Sequence, residues 1–158
     1  EYPSLTQRIH TEGHEIGLHG YSHSSMKEME RQVLERELND SLALLPSGCR
    51  PVYMRPPGGE DSPTVHRVAR RMGLSVLSWS VDPRDWASDD AAAITAAVTS
   101  NIRNGDIILL HDMSESSVEA AFSIIDGLRK QGYTFVTAKE LARLKGCSIE
   151  PGKLYRSF

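Results

Sequence analysis

Short apolar runs that read as strands alternate with longer stretches in which apolar residues recur every three or four positions. No other feature constrains the fold of this 158-residue chain as tightly. Strand-like runs fall at residues 15–18, 52–54, 75–81, 107–110 and 133–136. The run Ile107-Ile108-Leu109-Leu110 is continuously apolar, as expected of a parallel strand buried on both faces. Between the runs lie helix-like segments. Repeated βα units of this kind predict an α/β fold with a parallel sheet, open or closed into a barrel.

The helix signals are local and chemical. Residues 3–12 read as a short helix carrying Leu5 and Ile9, stopped by Gly13. Ser25 with Glu28 three positions on is a capping box, and it predicts that a helix opens there, with Leu34, Leu38, Leu42 and Leu45 as its apolar stripe. Ser62-Pro63 supplies a cap and a first-turn proline for a helix ending at Gly73. Asp90 caps a helix using Ile94, Ala97, Val98 and Ile102. Val118, Phe122, Ile125 and Leu128 form a further stripe closed by Gly132, and residues 138–144 a final short helix. Residues 146–158 read as an irregular tail.

Four polar clusters sit at or just past the predicted strand ends: His19-Gly20-Tyr21-Ser22-His23, Arg55-Pro56-Pro57-Gly58-Gly59, Asp82-Pro83-Arg84-Asp85-Trp86 and Leu109-Leu110-His111-Asp112. In open α/β sheets and α/β barrels the C-terminal strand edge is where sites are built. Two histidines four apart can present both imidazoles to one cation, and they are half of a catalytic metal site that normally adds a carboxylate and keeps a position open. The plain alternative is a pair of polar side chains on a surface turn. His111 is a candidate general acid, or a structural histidine at a strand end. A carboxylate from the 82–86 turn can pair with it and orient it. Arg55, stiffened by two prolines, suits holding a carboxylate, or is an ordinary surface cation. Gly58-Gly59 allows close approach of backbone N–H groups to a substrate, or is simply a turn. Trp86 offers an apolar wall, or is a packed core residue.

Composition excludes some classes. Net charge is −3 without a basic block, so nucleic acid is not a favoured partner. No apolar run approaches membrane-spanning length. Cys49 and Cys147 fit no metal motif, and they are equally readable as a pair or as two thiols. The chain opens on Glu1 rather than Met and carries no signal peptide, so it is expected to have been processed or cut from something longer.

Taken in order and spacing, the four clusters resemble the polysaccharide deacetylases with a NodB-homology domain, carbohydrate esterase family 4. The likeness runs through nearly the whole chain. Gly13-His14-Glu15-Ile16-Gly17-Leu18-His19-Gly20-Tyr21-Ser22-His23 is similar to the family's histidine motif, Arg55 to Gly59 to its R-P-P-Y-G motif, Asp82 to Trp86 to its D-x-x-D-W motif, and Leu109-Leu110-His111 to its L-x-H motif. The resemblance implies a distorted, incomplete (β/α) barrel of the NodB-homology type over residues 1–145, with 146–158 as a tail. It implies that His19 and His23 bind a divalent metal, usually zinc. It also implies that Arg55 contacts the catalytic base, that His111 is the general acid, and that Asp85 is its tuning carboxylate, with Asp82 the weaker candidate. Gly58, Asp82, Trp86 and Leu109 fall on the substrate side, Trp86 and Leu109 lining the pocket for the acetyl methyl.

The activity so implied is metal-dependent removal of acetyl groups from N-acetylated sugars of a peptidoglycan or chitin-like glycan, outside the cytoplasm or in the cell envelope. Three departures qualify it. Gly20 stands where the family usually has Thr or Ser, and Gly58 where it has Tyr. The T-F-D-D-G motif, which supplies the catalytic base and the metal-binding Asp, has no match in this chain. The expectations that follow are a two-histidine metal site and a missing first strand, which a separate N-terminal peptide would complete as a partner beside the glycan. The alternative reading is a non-catalytic carbohydrate-binding remnant or an inactive fragment.

Overall fold

The computed structural model describes residues 2–158; Glu1, the first residue of the expected domain, lies outside them. The described chain divides into two compact units. One comprises the residues up to Ser78 together with Gly146–Tyr155; the other comprises Trp79–Lys145 and Arg156–Phe158.

The first unit holds helices α1 (Pro3–Thr11), α2 (Arg31–Leu42) and α3 (Pro63–Arg71), and strands β1 (Tyr53–Met54), β2 (Ser75–Leu77) and β3 (Leu154–Tyr155). The strands form a parallel sheet in the order β1-β2-β3, with Met54 opposite Val76 and Leu77 opposite Tyr155. Leu18 adds a parallel bridge to Met54. Leu18, Met26, Leu34, Leu38, Met54, Val65, Val68, Ala69, Leu74 and Val76 make one apolar core under this sheet. At about 1.5–3 kcal/mol per fully buried aliphatic side chain, this core is the main term holding α2 and α3 in place.

Two expectations are corrected here. The capping box at Ser25 does not open α2. That helix starts at Arg31 with no side-chain cap, and the Ser25 hydroxyl instead donates to the Glu60 carboxylate. A hydroxyl that finds a tertiary carboxylate is lost to the local cap. Residues 146–158 are not merely an irregular tail, because β3 lies within them and completes the sheet. Gly152 makes this return possible. It sits at φ 77, and a Cβ there would lie 2.7 Å from Arg70 Cβ and 2.9 Å from the His66 carbonyl oxygen, so only glycine lets the segment lie against α3. His66 donates from Nδ1 to the Gly152 carbonyl at 2.7 Å.

The second unit holds α4 (Ala91–Thr99), α5 (Glu115–Lys130) and α6 (Ala138–Leu144). Asp90 caps α4 by accepting from the Ala92 and Ala93 amides at 2.9 and 3.0 Å; Ser114 and Thr137 cap α5 and α6. Ile94 and Val98 of α4 pack on Ala120, Ile124 and Leu128 of α5. The expected strand at 107–110 is reduced to a parallel bridge between Ile108 and Val81, and residues 133–136 form no strand among the described residues. Apolar alternation supplies a face, but a strand also needs a neighbour for its amides. The expected stripe on α5 holds at Leu128 but not at its N-terminal half. Val118 is 39% and Phe122 68% exposed, whereas Ser117, Ala120, Ile124 and Leu128 are buried.

Candidate active-site residues

In the first unit the Leu18–Met54 bridge sets the register of two motifs. The Leu18 N–H donates to the Tyr53 carbonyl at 3.0 Å, and the Arg55 N–H donates to the Leu18 carbonyl at 2.8 Å. His19 and Arg55 therefore leave the sheet side by side. The His19 ring donates from Nδ1 to the Arg55 carbonyl at 2.7 Å. A carbonyl oxygen only accepts, so Nδ1 carries the proton and Nε2 carries the lone pair a metal needs. The His19 and His23 ring centroids lie 5.0 Å apart at 74°. His23 has φ 57, a left-handed conformation that a non-glycine residue adopts only when its surroundings impose it.

These two imidazoles fit a divalent cation of the borderline-soft kind, and His19 already has the backbone partner that metal-bound histidines use. Among the described residues no group of three or more His, Cys, Asp or Glu side chains is arranged to hold a metal.

Arg55 is half-buried. Its Nε and Nη2 donate to the Leu77 and Ser78 carbonyls at 3.0 and 3.1 Å, which ties it to the end of β2, and burial pushes its pKa below the usual arginine value. In the Gly58-Gly59 pair the Gly59 amide closes a turn onto the Pro56 carbonyl at 2.9 Å.

The second unit brings Asp85 and His111 together. Asp85 is 1% exposed, in a one-turn 3₁₀ segment over Asp85–Ala87. Its Oδ2 accepts the His111 main-chain N–H at 2.7 Å and its Oδ1 accepts His111 Nδ1–H at 2.8 Å. Burial works to raise the Asp85 pKa. The bonds from the His111 ring and amide, and from the Ser117 hydroxyl, outweigh it and hold the carboxyl below its usual range. Nε2 of His111 is then the ring nitrogen left for chemistry, on a side chain 35% exposed.

Asp82, the weaker candidate, does not go to His111. Its Oδ1 accepts the Arg84 amide at 2.8 Å and shapes the turn. Trp86 is 57% exposed with the Arg84 guanidinium carbon 5.2 Å from its ring centroid, so it is a surface wall rather than core packing. Leu109 is 7% exposed.

Sequence reasoning missed Ser117. Its signal was a polar residue in the buried phase of α5, visible only once that phase is known. It also missed Glu37 on α2, whose Oε2 accepts the Tyr21 and Ser22 amides at 2.9 and 2.8 Å.

A family model described as polysaccharide deacetylase matches residues 1–77. A peptidoglycan-N-acetylglucosamine deacetylase of Bacillus cereus is 37% identical over 149 residues, covering 90% of this chain and 70% of that protein. A peptidoglycan-N-acetylglucosamine deacetylase of Listeria monocytogenes is 33% identical over 155 residues, covering 97% of this chain but only 32% of its own length. Among solved structures, a family 4 acetyl xylan esterase from Clostridium thermocellum in complex with a cobalt ion superposes with a TM-score of 0.90 at 35% identity, covering 99% of this chain and 78% of that one. The α/β fold is thus of the NodB-homology type, and the chain belongs to the polysaccharide deacetylases of carbohydrate esterase family 4.

Proposed function

We propose that this protein hydrolyses the N-acetyl amide of N-acetylglucosamine-type sugars in a polysaccharide, with peptidoglycan or a chitin-like glycan as substrate. The observation that carries the reading is the doubly bonded Asp85–His111 pair, a histidine whose tautomer and orientation are both set by a buried carboxylate.

In this reading His19 and His23 hold a divalent cation, zinc in the first instance, His19 through Nε2, the nitrogen opposite its bond to the Arg55 carbonyl. Bound there, the cation supplies Lewis acidity toward the acetyl carbonyl and the attacking water. His111, its Nδ1–H fixed on Asp85, delivers a proton from Nε2 to the sugar nitrogen as the C–N bond breaks, giving acetate and a free amine. The water's proton would go to a carboxylate base that no residue of this sequence matches, and Arg55 would orient that base. The Gly58 amide, Trp86 and Leu109 position the acetyl group. A glycan polymer substrate places the protein outside the cytoplasm or in the envelope. No helix among the described residues is long and apolar enough to cross a membrane.

The test is metal and turnover measured together. His19→Ala/His23→Ala protein at its natural length should lose bound zinc, read by elemental mass spectrometry, in step with acetate release from N-acetylglucosamine oligomers. Stoichiometric zinc retained by the double variant would overturn the assignment.

A further inference from the structure

We propose that Glu37 is a positioning residue for the cation-binding loop, fixing the backbone of residues 20–23 so that the His19 and His23 rings converge. This rests on the metal reading above. Three residues separate the two histidines, and the path between them is unusual. Gly20 has φ 82 and His23 φ 57. Left-handed geometry at His23 costs about 1–2 kcal/mol relative to ordinary backbone, so something outside the loop must impose it.

Glu37 is placed to do so. One carboxylate oxygen, Oε2, accepts the consecutive Tyr21 and Ser22 amides at 2.9 and 2.8 Å. Two successive N–H groups aimed at one oxygen fix the peptide planes between the rings. The position of that oxygen is inherited from the core, because Leu34 and Leu38 on the same helix are fully buried. Gly20 leaves room for it, since a Cβ there would come 3.4 Å from Glu37 Oε2 and 2.6 Å from the Met26 methyl. The Ser25–Glu60 contact holds the far side of the same loop.

The experiment compares wild type, Glu37→Gln and Glu37→Ala by Co²⁺ titration followed by visible absorption. Amide exchange at Tyr21 and Ser22 and the ring ¹⁵N signals of His19 and His23 are recorded without metal. Glu37→Ala should weaken Co²⁺ binding by about tenfold or more, speed exchange at both amides and shift the His23 ring signals. Glu37→Gln keeps an oxygen that accepts both bonds and should stay within about threefold. Wild-type exchange and ring signals in Glu37→Ala, or a Gln variant as damaged as the Ala variant, would overturn the proposal. Should wild type take no Co²⁺, the metal reading fails, and the exchange and ring signals still decide the role of Glu37.

Discussion

Asp85 holds His111 at two points, taking the main-chain N–H on one oxygen and the ring Nδ1–H on the other, at 2.7 and 2.8 Å. Backbone and ring are thereby fixed to a single buried carboxylate. Asp85→Ala leaves the His111 amide and the Ser117 hydroxyl without their acceptor. It should cost about 2–4 kcal/mol of stability, seen as a fall in melting temperature of about 5–15 °C. A change within about 2 °C would mean the pair is not the brace described.

The same carboxylate predicts an acid dependence. Its folded pKa lies below the ordinary Asp value of about 3.9, despite burial, because the His111 and Ser117 bonds favour the ionised form. The folded state therefore binds fewer protons than the unfolded state in this range. The stabilisation is complete above the unfolded pKa and lost as pH falls through the folded one. Denaturation midpoints followed downward from neutral pH should drop in wild type and drop less steeply in Asp85→Asn. Parallel profiles would contradict this.

Gly20→Ser should weaken this protein. At φ 82 a side chain is strained, and its Cβ would meet the Met26 methyl at 2.6 Å. The methyl can move, so the backbone term dominates, about 1–2 kcal/mol. Equal or higher stability of the serine variant by urea denaturation would show that the loop is not built around glycine.

Tyr53 offers a gain. It is 3% exposed, and its hydroxyl has no hydrogen-bond partner among the described residues. Burial pushes its pKa well up, with Glu15 and Tyr155 adding to the effect. Tyr53→Phe removes an unsatisfied buried oxygen at almost constant shape, and should raise stability by about 1 kcal/mol, or about 2–4 °C in melting temperature. A loss of stability would reveal a partner for that hydroxyl.

The contacts among the candidate site residues were legible in the sequence because their spacing and their place after apolar runs are themselves the signal. Asp85 and His111 meet as their motifs suggested, and His19 and His23 lie side by side. The caps at Ser62 and Asp90 were legible for the same reason, since a cap acts within three residues. What failed depended on distant partners. Ser25 was drawn to Glu60 rather than to its own helix, and β3 is two residues long with no periodicity to read. The α5 stripe was misplaced at Val118 and Phe122, though not at Leu128, because Ser117 and Ala120, too small or polar to count as core, are what α4 and Asp85 require there.

Acetate release from an N-acetylglucosamine oligomer by wild type and His111→Ala protein, at natural length with zinc supplied, tests the central claim most directly. The account predicts metal-dependent release by wild type and a fall in kcat of about 10²–10⁴ in the variant with little change in KM. Release by the variant at the wild-type rate, or release by wild type unchanged after chelation, would contradict it.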